Sequence, residues 1–489
     1  MSLSQDNDRG NVGSRFWRSV FRGPVRPRDD TDRKRIVLSH LVLHNRPIRV
    51  PEATIRYTHT FGLGGSSAVL FSLLAATGML LIFVYEPSPD AAYRSILRLR
   101  DDVFFGKLVR NIHYWSANLL VVVALLHLLR VYLTGAYHGA RRFNWVLGLA
   151  LLFCVLASNF TGYLLPWNQL SYWAITIVTG MIGYVPFVGE TLQNAVRGGR
   201  EIGASTLVDF YAAHTTLLPA LIVVVMAFHF WRVRKAGGVV LPRPPEGAPA
   251  EAPDRRSAAA AARAPREGRA SPEASRVEKP PTVLALPHLL YRELAAGLAL
   301  AGFVMVLALL FDAPLGDPAN PGMSPNPAKA PWYFLGFQEL LLHFDPIFAV
   351  VVIPLAAAIG LSIIPYVRYR HDSSGILMMS YAGRRMAGDA AIAAAVATPL
   401  LILADEFIVD FAGWLPGLPP FIANGLIPAA IAAGLYALFR SRLRKKYAAS
   451  SDEMIQTTFV LLGAAFVILT LTGVFFRGPG MALVWPWDR

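Results

Sequence analysis

Nine apolar stretches, each about as long as the roughly 20 residues a membrane-crossing helix needs, constrain this chain more than anything else in it. They fall at 66–85, 112–133, 145–164, 210–231, 294–311, 347–366, 387–404, 421–439 and 455–476. The seventh is the most polar in its surroundings, being Ala-rich and running into Asp405, Glu406 and Asp410. Composition agrees: 54% of the 489 residues are hydrophobic and 16% are charged, against about 25% charged in an ordinary soluble domain. A basic excess of +14 on so apolar a chain points away from nucleic-acid binding and from disorder, and towards a multi-pass all-α membrane protein.

The charges then orient the spans. With a cytoplasmic N-terminus, the even-numbered loops also face the cytoplasm, and they hold the cations. These are Arg130, Arg141 and Arg142; Arg232, Arg234 and Lys235; Arg368, Arg370, Arg384 and Arg385; and Arg440, Arg442, Arg444, Lys445 and Lys446. Asp405, Glu406 and Asp410 fall on the opposite side. Nine spans put the C-terminus outside. The Arg-rich first 60 residues have no early apolar core followed by a small-residue cleavage site, so no signal peptide is expected. Residues 166–209 and the Pro-punctuated 312–339 do not span, and both lie outside as a roof. The expected organisation is a basic segment over 1–60, a four-helix bundle over 61–235 and an Ala/Pro/Arg-rich disordered linker over 236–282. A region carrying the second outer loop follows over 283–370, and further spans over 371–489.

Four histidines stand within the spans. His113 and His127 are 14 apart on the second, and His214 and His229 are 15 apart on the fourth. At about 100° per residue, 14 positions return a side chain to within about 40° of its start and 15 to about 60°. Each pair therefore faces roughly one way, with a separation of about 21 Å along the axis. Both spans run from outside to inside, so His113 matches His214 in depth and His127 matches His229. Ionisable residues at depth are rare and functional. Two facing pairs suit two stacked macrocycles, each iron closed by two imidazoles, which is electron-transfer ligation. The other seven histidines lie near span ends or in loops and read as ordinary polar residues.

The stretches RNIHYWSANLLVVVALLHLLRVYLTGAY (110–137), FNWVLGLALLFCVLASNFTGYLLPWNQLSYWAITIVTG (143–180) and DFYAAHTTLLPALIVVVMAFHFWRVRKAG (209–237) resemble the cytochrome b family of quinol:cytochrome c and plastoquinol:plastocyanin oxidoreductases. Cytochrome b6 is the nearest form, because the 14/15 spacing is the b6-type pattern. The resemblance implies two non-covalent b-type haems. His113 and His214 would hold the outer iron, and His127 and His229 the inner. Paired glycines 14 apart face the haems in the family, and Gly64/Gly78 and Gly148/Gly162 reproduce them. Arg110 and Arg130 match family arginines near the haem propionates.

The second half resembles subunit IV of the b6-type complex, fused here to the first half. The likeness rests on the Pro-rich outer loop and APWYFLGFQELL (330–341). The family's Pro-Glu-Trp-Tyr becomes Ala330-Pro331-Trp332-Tyr333, so Trp332 and Tyr333 match and the family's proton-accepting Glu does not. Glu339 and His343, further along the same expected helix, are the expected substitutes. Variant motifs of this kind go with menaquinol-using members, so menaquinone is the expected quinone.

A b6-type tethered haem needs a Cys before Leu-Gly-Gly. Here Gly62 precedes Leu63-Gly64-Gly65, and the single Cys, Cys154, lies in the third span. No covalent haem is expected, and no Cys-x-x-Cys-His occurs. The family's activity implies quinol oxidation at an outer pocket, with one electron passing to a Rieske iron–sulfur protein and the other to the two haems. A quinone would be reduced near the cytoplasmic face, where Arg232 and the segment around His40–His59 are at the right level. It further implies a c-type cytochrome acceptor, multihaem forms included, a homodimeric complex embedded in membrane lipid, proton translocation, and a bacterial cytoplasmic (inner) membrane. Two rival readings stand beside it: a diheme quinone-reactive anchor of a dehydrogenase without bifurcation, and a cofactor-free transporter.

Overall fold

The computed structural model describes residues 27–39, 47–241, 281–367, 369, 375, 377–378 and 380–487. Expectations for residues 1–26 and 40–46, for 242–280 of the linker and for Arg368, Arg370 and His371 lie outside the described residues.

Among the described residues, nine helices are long and apolar enough to cross a membrane. They are α2 (Leu63–Ile82), α4 (Gly106–Leu133), α5 (Arg142–Leu164), α8 (Ala204–Lys235), α9 (Leu290–Leu310), α11 (Phe348–Tyr366), α12 (Tyr381–Phe407), α13 (Phe421–Tyr447) and α14 (Ser451–Phe475). All nine expected spans are present, most of them longer than their apolar cores because polar first and last turns extend them. Their outward side chains are large and apolar, as Leu298, Leu309 and Val224 show with about two-thirds of their surface exposed. That pattern suits a helix whose solvent on one face is lipid.

Shorter helices complete the chain. α1 (Asp30–Ser39) and α3 (Ala92–Asp101) precede α4. α6 (Gln169–Ile182) and α7 (Gly189–Arg197) form the first expected roof loop, and α10 (Leu335–His343) closes the second. Asn168 starts α6 with a capping box to Ser171, and Ser450 starts α14 with one to Glu453, each satisfying backbone donors that a first turn leaves free.

Three spans contain a π-helical turn, at Ala213–Leu217, Phe348–Val352 and Phe421–Leu426. Pro219, Pro354 and Pro428 follow them. Proline brings no N–H, so the carbonyl four residues back loses its α-helical donor and the ladder slips by one residue. At the third turn the carbonyl freed by Pro428 is that of Asn424, which accepts from Asp345 N at 2.9 Å.

The first four spans and the last five are stitched together at both ends of the bundle. β1 (Arg49–Pro51) pairs antiparallel with β2 (Thr282–Leu284). At the opposite end, buried Asn111 donates to Ala308 O (2.9 Å) and Asp312 Oδ1 (3.1 Å) and accepts from Ala313 N (2.9 Å). Trp115 Nε1 donates to Phe311 O at 2.8 Å, and the roof closes where Asn168 pairs with Pro318. Tyr132 Oη donates to Ile455 O at 3.0 Å near the β1–β2 end.

Candidate functional site

The four in-span histidines fall into the two expected pairs, and the fold shows why. α2 packs antiparallel on α4 and α5 antiparallel on α8, so one glycine of α2 or α5 meets each histidine. A Cβ at Gly78 would stand 3.4 Å from His113 Cε1, and one at Gly64 3.4 Å from His127 Cε1. On the other helix pair, a Cβ at Gly148 would stand 3.7 Å from His229 Cε1, and one at Gly162 only 2.5 Å from His214 Cε1. All four glycines are therefore cradles for imidazole rings, and Gly162 tolerates nothing larger than hydrogen.

His113 and His214 face each other across the bundle with ring centroids 6.2 Å apart and planes at 68°. Two metal–nitrogen bonds of about 2 Å, plus roughly 1 Å from each nitrogen to its ring centre, sum to about 6 Å. The gap is that of two imidazoles sharing one iron. The tautomers agree. His214 Nδ1 lies 2.9 Å from the Ser158 carbonyl, which can only accept, so that nitrogen carries the proton and Nε2 is left as the ligand. Thr77 Oγ1 donates to Leu73 O at 2.6 Å and so accepts from His113 Nδ1 at 3.0 Å, leaving His113 Nε2 free in the same way.

The 15-residue spacing of His214 and His229 has a structural cause. His214 lies inside the π-helical turn Ala213–Leu217, which absorbs one residue without advancing the helix phase. Fifteen residues along α8 therefore behave as 14, and both ligands of α8 match the phase and rise of His113 and His127 on α4.

The two expected propionate arginines differ. Arg130 donates through Nη2 to His59 O at 3.0 Å, while its buried Nε has no partner. A donor stranded that way fits a carboxylate acceptor beside the second histidine pair. Arg110 is engaged by the protein itself, giving 2.8 Å bonds to Ala313 O and to Pro314 O.

Trp332 and Tyr333 sit in a short 3-10 turn (Trp332–Phe334) at the His113/His214 end. Trp332 Nε1 donates to Asn118 Oδ1 at 2.8 Å, reaching α4 five residues beyond His113. Next to this turn lies a nearly wholly apolar cavity of about 270 Å³. Val178, Met181 and Ile182 of α6 form one wall, Phe337 and Leu341 of α10 another, and Val350 and Pro354 of α11 a third. A second cleft, of about 400 Å³, opens at the β1–β2 clip between Glu52, Arg56 and Arg292, and none of the four histidines lines it. The smaller one, lined by Phe334 of the Trp332–Phe334 turn, is the better ligand site despite its size, because it is apolar and walled by helices on three sides.

Glu339 and His343 require a correction. Phe337 and Leu341 face the cavity, and Glu339 is about 200° from each around α10, which is the far face. There Glu339 is fully buried against Arg477, with Nη2 2.6 Å from Oε1 and Nε 3.0 and 3.1 Å from its two oxygens. His343 Nδ1 stands 2.7 Å from Asp405 Oδ2, and Nε2 3.2 Å from Glu339 Oε1. Burial alone would raise the Glu339 carboxyl, but the bonds from His343 and Arg477 outweigh it and hold it below its ordinary value. Burial alone would lower His343, but Asp405 and Glu339 push it up to about 9. A carboxylate held ionised and an imidazole held protonated are poor acceptors for a quinol proton, and neither faces the cavity.

Sequence reasoning missed Arg477 and Gln338. Buried Gln338 fixes the variant motif, accepting from Ala330 N at 2.7 Å and donating to Ala328 O at 2.8 Å. Arg477 carried one legible signal: a cation directly after an apolar span on the side where the charge rule expects few.

Comparison with known proteins gives the same reading. The family model Cytochrome b/b6/petB matches residues 50–237. Cytochrome b6 of Prochlorococcus marinus (strain MIT 9303) is 43% identical over 175 residues, covering 36% of this chain and 80% of that protein. Cytochrome b6 of Synechococcus sp. (strain RCC307) is also 43% identical over 175 residues, with the same coverage. Among solved structures, a chain of a "Hyperthermophilic respiratory Complex III" aligns over 85% of this chain and 91% of its own length at TM-score 0.57 and 21% identity, a likeness of fold. With four glycine-cradled histidines at two depths and b6 relatives matched over most of their length, the chain belongs to the cytochrome b family.

Proposed function

We propose that this chain is the cytochrome b subunit of a bc-type quinol oxidoreductase in a bacterial cytoplasmic membrane, with its N-terminus cytoplasmic and its C-terminus outside. The observation that carries the proposal is the clasp of each histidine by its own glycine at two depths, with a 6.2 Å gap between His113 and His214. Haem iron held between two imidazoles supplies one-electron transfer and keeps no open position for oxygen chemistry.

The chain's own residues divide the remaining work. The Ser158 carbonyl and Thr77 Oγ1 fix the Nδ1 protons of His214 and His113, so both Nε2 atoms are left free to bind. Arg130 Nε offers a donor to a propionate at the inner level. The cavity walled by Phe337, Leu341 and Pro354 takes the quinol ring against an almost wholly apolar lining. Trp332 ties that wall to α4 through Asn118, and Tyr333 packs beside it against a core cluster that α2, α4, α5 and α9 share. Quinol bound there delivers one electron to a Rieske iron–sulfur protein and one inward past His113 and His214 towards the His127/His229 level. Protons leave outside and are taken up where a quinone is reduced near the cytoplasmic face.

A c-type cytochrome as final acceptor, menaquinone as substrate, a homodimeric complex and the absence of a covalent haem complete this reading. So does the division into a b6-like half (61–235), a linker (236–282), a subunit IV-like region (283–370) and added spans (371–489). The apolar cavity beside Trp332 favours it over a diheme anchor without an outer quinol site. Purification of the intact complex tests it. Menadiol must reduce two b-type haems, and an iron–sulfur protein must accompany the chain. A preparation with two haems and no iron–sulfur partner would point to the anchor instead.

A further inference from the structure

α10 is a partition with two unlike faces. One, bearing Phe337 and Leu341, is apolar and walls the cavity. The other carries Glu339 and His343 and is closed by groups that α12 and the end of α14 supply. Arg477, just past α14 and 1% exposed, makes three contacts with the fully buried Glu339 carboxylate and a fourth, at 2.9 Å, to Glu406 Oε2 at the end of α12. Its Nη1 also donates to Met481 O at 2.8 Å. Asp405 of α12 holds His343 from the same side.

The last turn of α14 and the segment after it also grip the loop that leads into α10. Lys329 Nζ donates to Val474 O at 3.3 Å, and Gly480 N to Asn326 Oδ1. The helices themselves touch closely: a Cβ at Gly473 of α14 would lie 3.1 Å from Leu335 Cβ, and one at Gly336 of α10 2.8 Å from Phe466 Cε2. Guanidinium–carboxylate geometry is planar and bidentate, so it fixes orientation as well as distance. A buried pair of this kind is weak evidence for stability, because desolvation offsets much of the attraction. Removing one partner is costly all the same, because the other is left charged in a poor solvent.

We infer that Arg477 is a positioning residue for quinol oxidation: through Glu339 it sets the register of α10, so the otherwise unassigned spans α12 and α14 act as a brace on the back of the outer quinol cavity. The inference rests on the outer cavity being the quinol site. It assigns the Glu339–Arg477 pair no proton. The groups facing Glu339 are His343 from α10 itself and Arg477 from the end of α14, with Asp405 beyond His343 and Glu406 beyond Arg477, both from α12.

The test uses the complete complex in membranes, with menadiol as the probe and rates expressed per spectroscopically counted haem. R477Q and E339Q are expected to lower kcat/KM by on the order of tenfold to a hundredfold, chiefly through KM, with both haem bands and their potentials kept. R477K, which retains the charge but not the fork, recovers part of the loss. K446Q, which breaks the exposed Lys446–Asp389 pair at the far end of α12 and α13, leaves KM unchanged. If R477Q does not assemble, the double variant E339Q/R477M, in which neither charge is stranded, takes its place with the same expectation for KM. An unchanged KM in E339Q together with R477Q, or in the double variant, overturns the inference. So does a shifted pH profile at unchanged KM, which would make Glu339 a proton carrier. A wild-type complex that fails to oxidise menadiol would instead remove the quinol-site reading beneath it.

Discussion

Gly162→Ala is the sharpest perturbation available, because the structure makes its effect quantitative. The new Cβ would stand 2.5 Å from His214 Cε1, 2.9 Å from Nδ1 and 3.1 Å from Nε2. Ordinary carbon contacts begin near 3.5 Å, so the ring must retreat by about 1 Å. A metal site keeps its ligand distances within about 0.2 Å, and His214 has its Nδ1 tied to Ser158 O at 2.9 Å. The ring cannot yield without breaking either that bond or the one to iron. Haem affinity at the His113/His214 level should fall by on the order of ten- to a hundredfold, the usual loss when a ligand's support is disturbed. The matched control is Gly148→Ala, whose Cβ meets His229 Cε1 at an ordinary 3.7 Å. Redox-titrated visible spectra of the purified complex read both. G162A should lose or shift one b-type component and spare the other, and G148A should keep two. Equal loss in the two variants, or two undisturbed components in G162A, would refute the reading of these glycines as imidazole cradles.

Other consequences follow from the same geometry. Deleting Leu217 should convert the π turn Ala213–Leu217 into α-helix and leave His214 and His229 on one face. Two haem bands should survive that deletion, whereas removing one residue between His113 and His127 should abolish at least one. Asn111→Ala strips three hydrogen bonds from a buried junction and should destabilise the complex by about 2–3 kcal/mol, read as a lower midpoint in thermal denaturation. The His343 bridge has a defined pH window. Its folded-state value, about 9, lies above the ordinary 6.5. Its contribution is therefore full below about 6.5 and is lost as pH rises through about 9. Glu339 is depressed from 4.5, so its contribution is present above that value and fades only in acid. Thermal stability should fall between pH 7 and 10 in the wild type and fall less steeply in His343→Gln; parallel curves would contradict the bridge.

Much of this architecture is legible in the sequence. Nine spans follow from apolar length alone, because a bilayer leaves the backbone no alternative to helix. The placement of the four histidines against four glycines, and of Trp332 and Tyr333 in one turn, was readable because it is carried by spacing within one helix or one short motif. Non-local pairings were not. Arg477 meets Glu339 across 138 residues, and Arg49 meets Thr282 across 233; neither pairing has a period or a motif to betray it. That is why Glu339, read from its place on a helix after Tyr333, looked like a free carboxylate aimed at quinol. Helix phase could have warned against it, since Phe337 and Leu341 had to face the cavity for the motif to work. The π turn was hidden for a different reason: Pro219 announces a disturbed ladder, but a proline alone does not say whether the helix absorbs one residue, as it does here, or kinks.

The central claim is that two histidine pairs hold two b-type haems at separate depths. A potentiometric titration of the visible spectrum tests it most directly, comparing the wild type with His214→Ala and His229→Ala. The account predicts two b-type α-band components of different potential in the wild type, with each variant losing a different one. A single component, none at all, or the loss of the same component in both variants would contradict it.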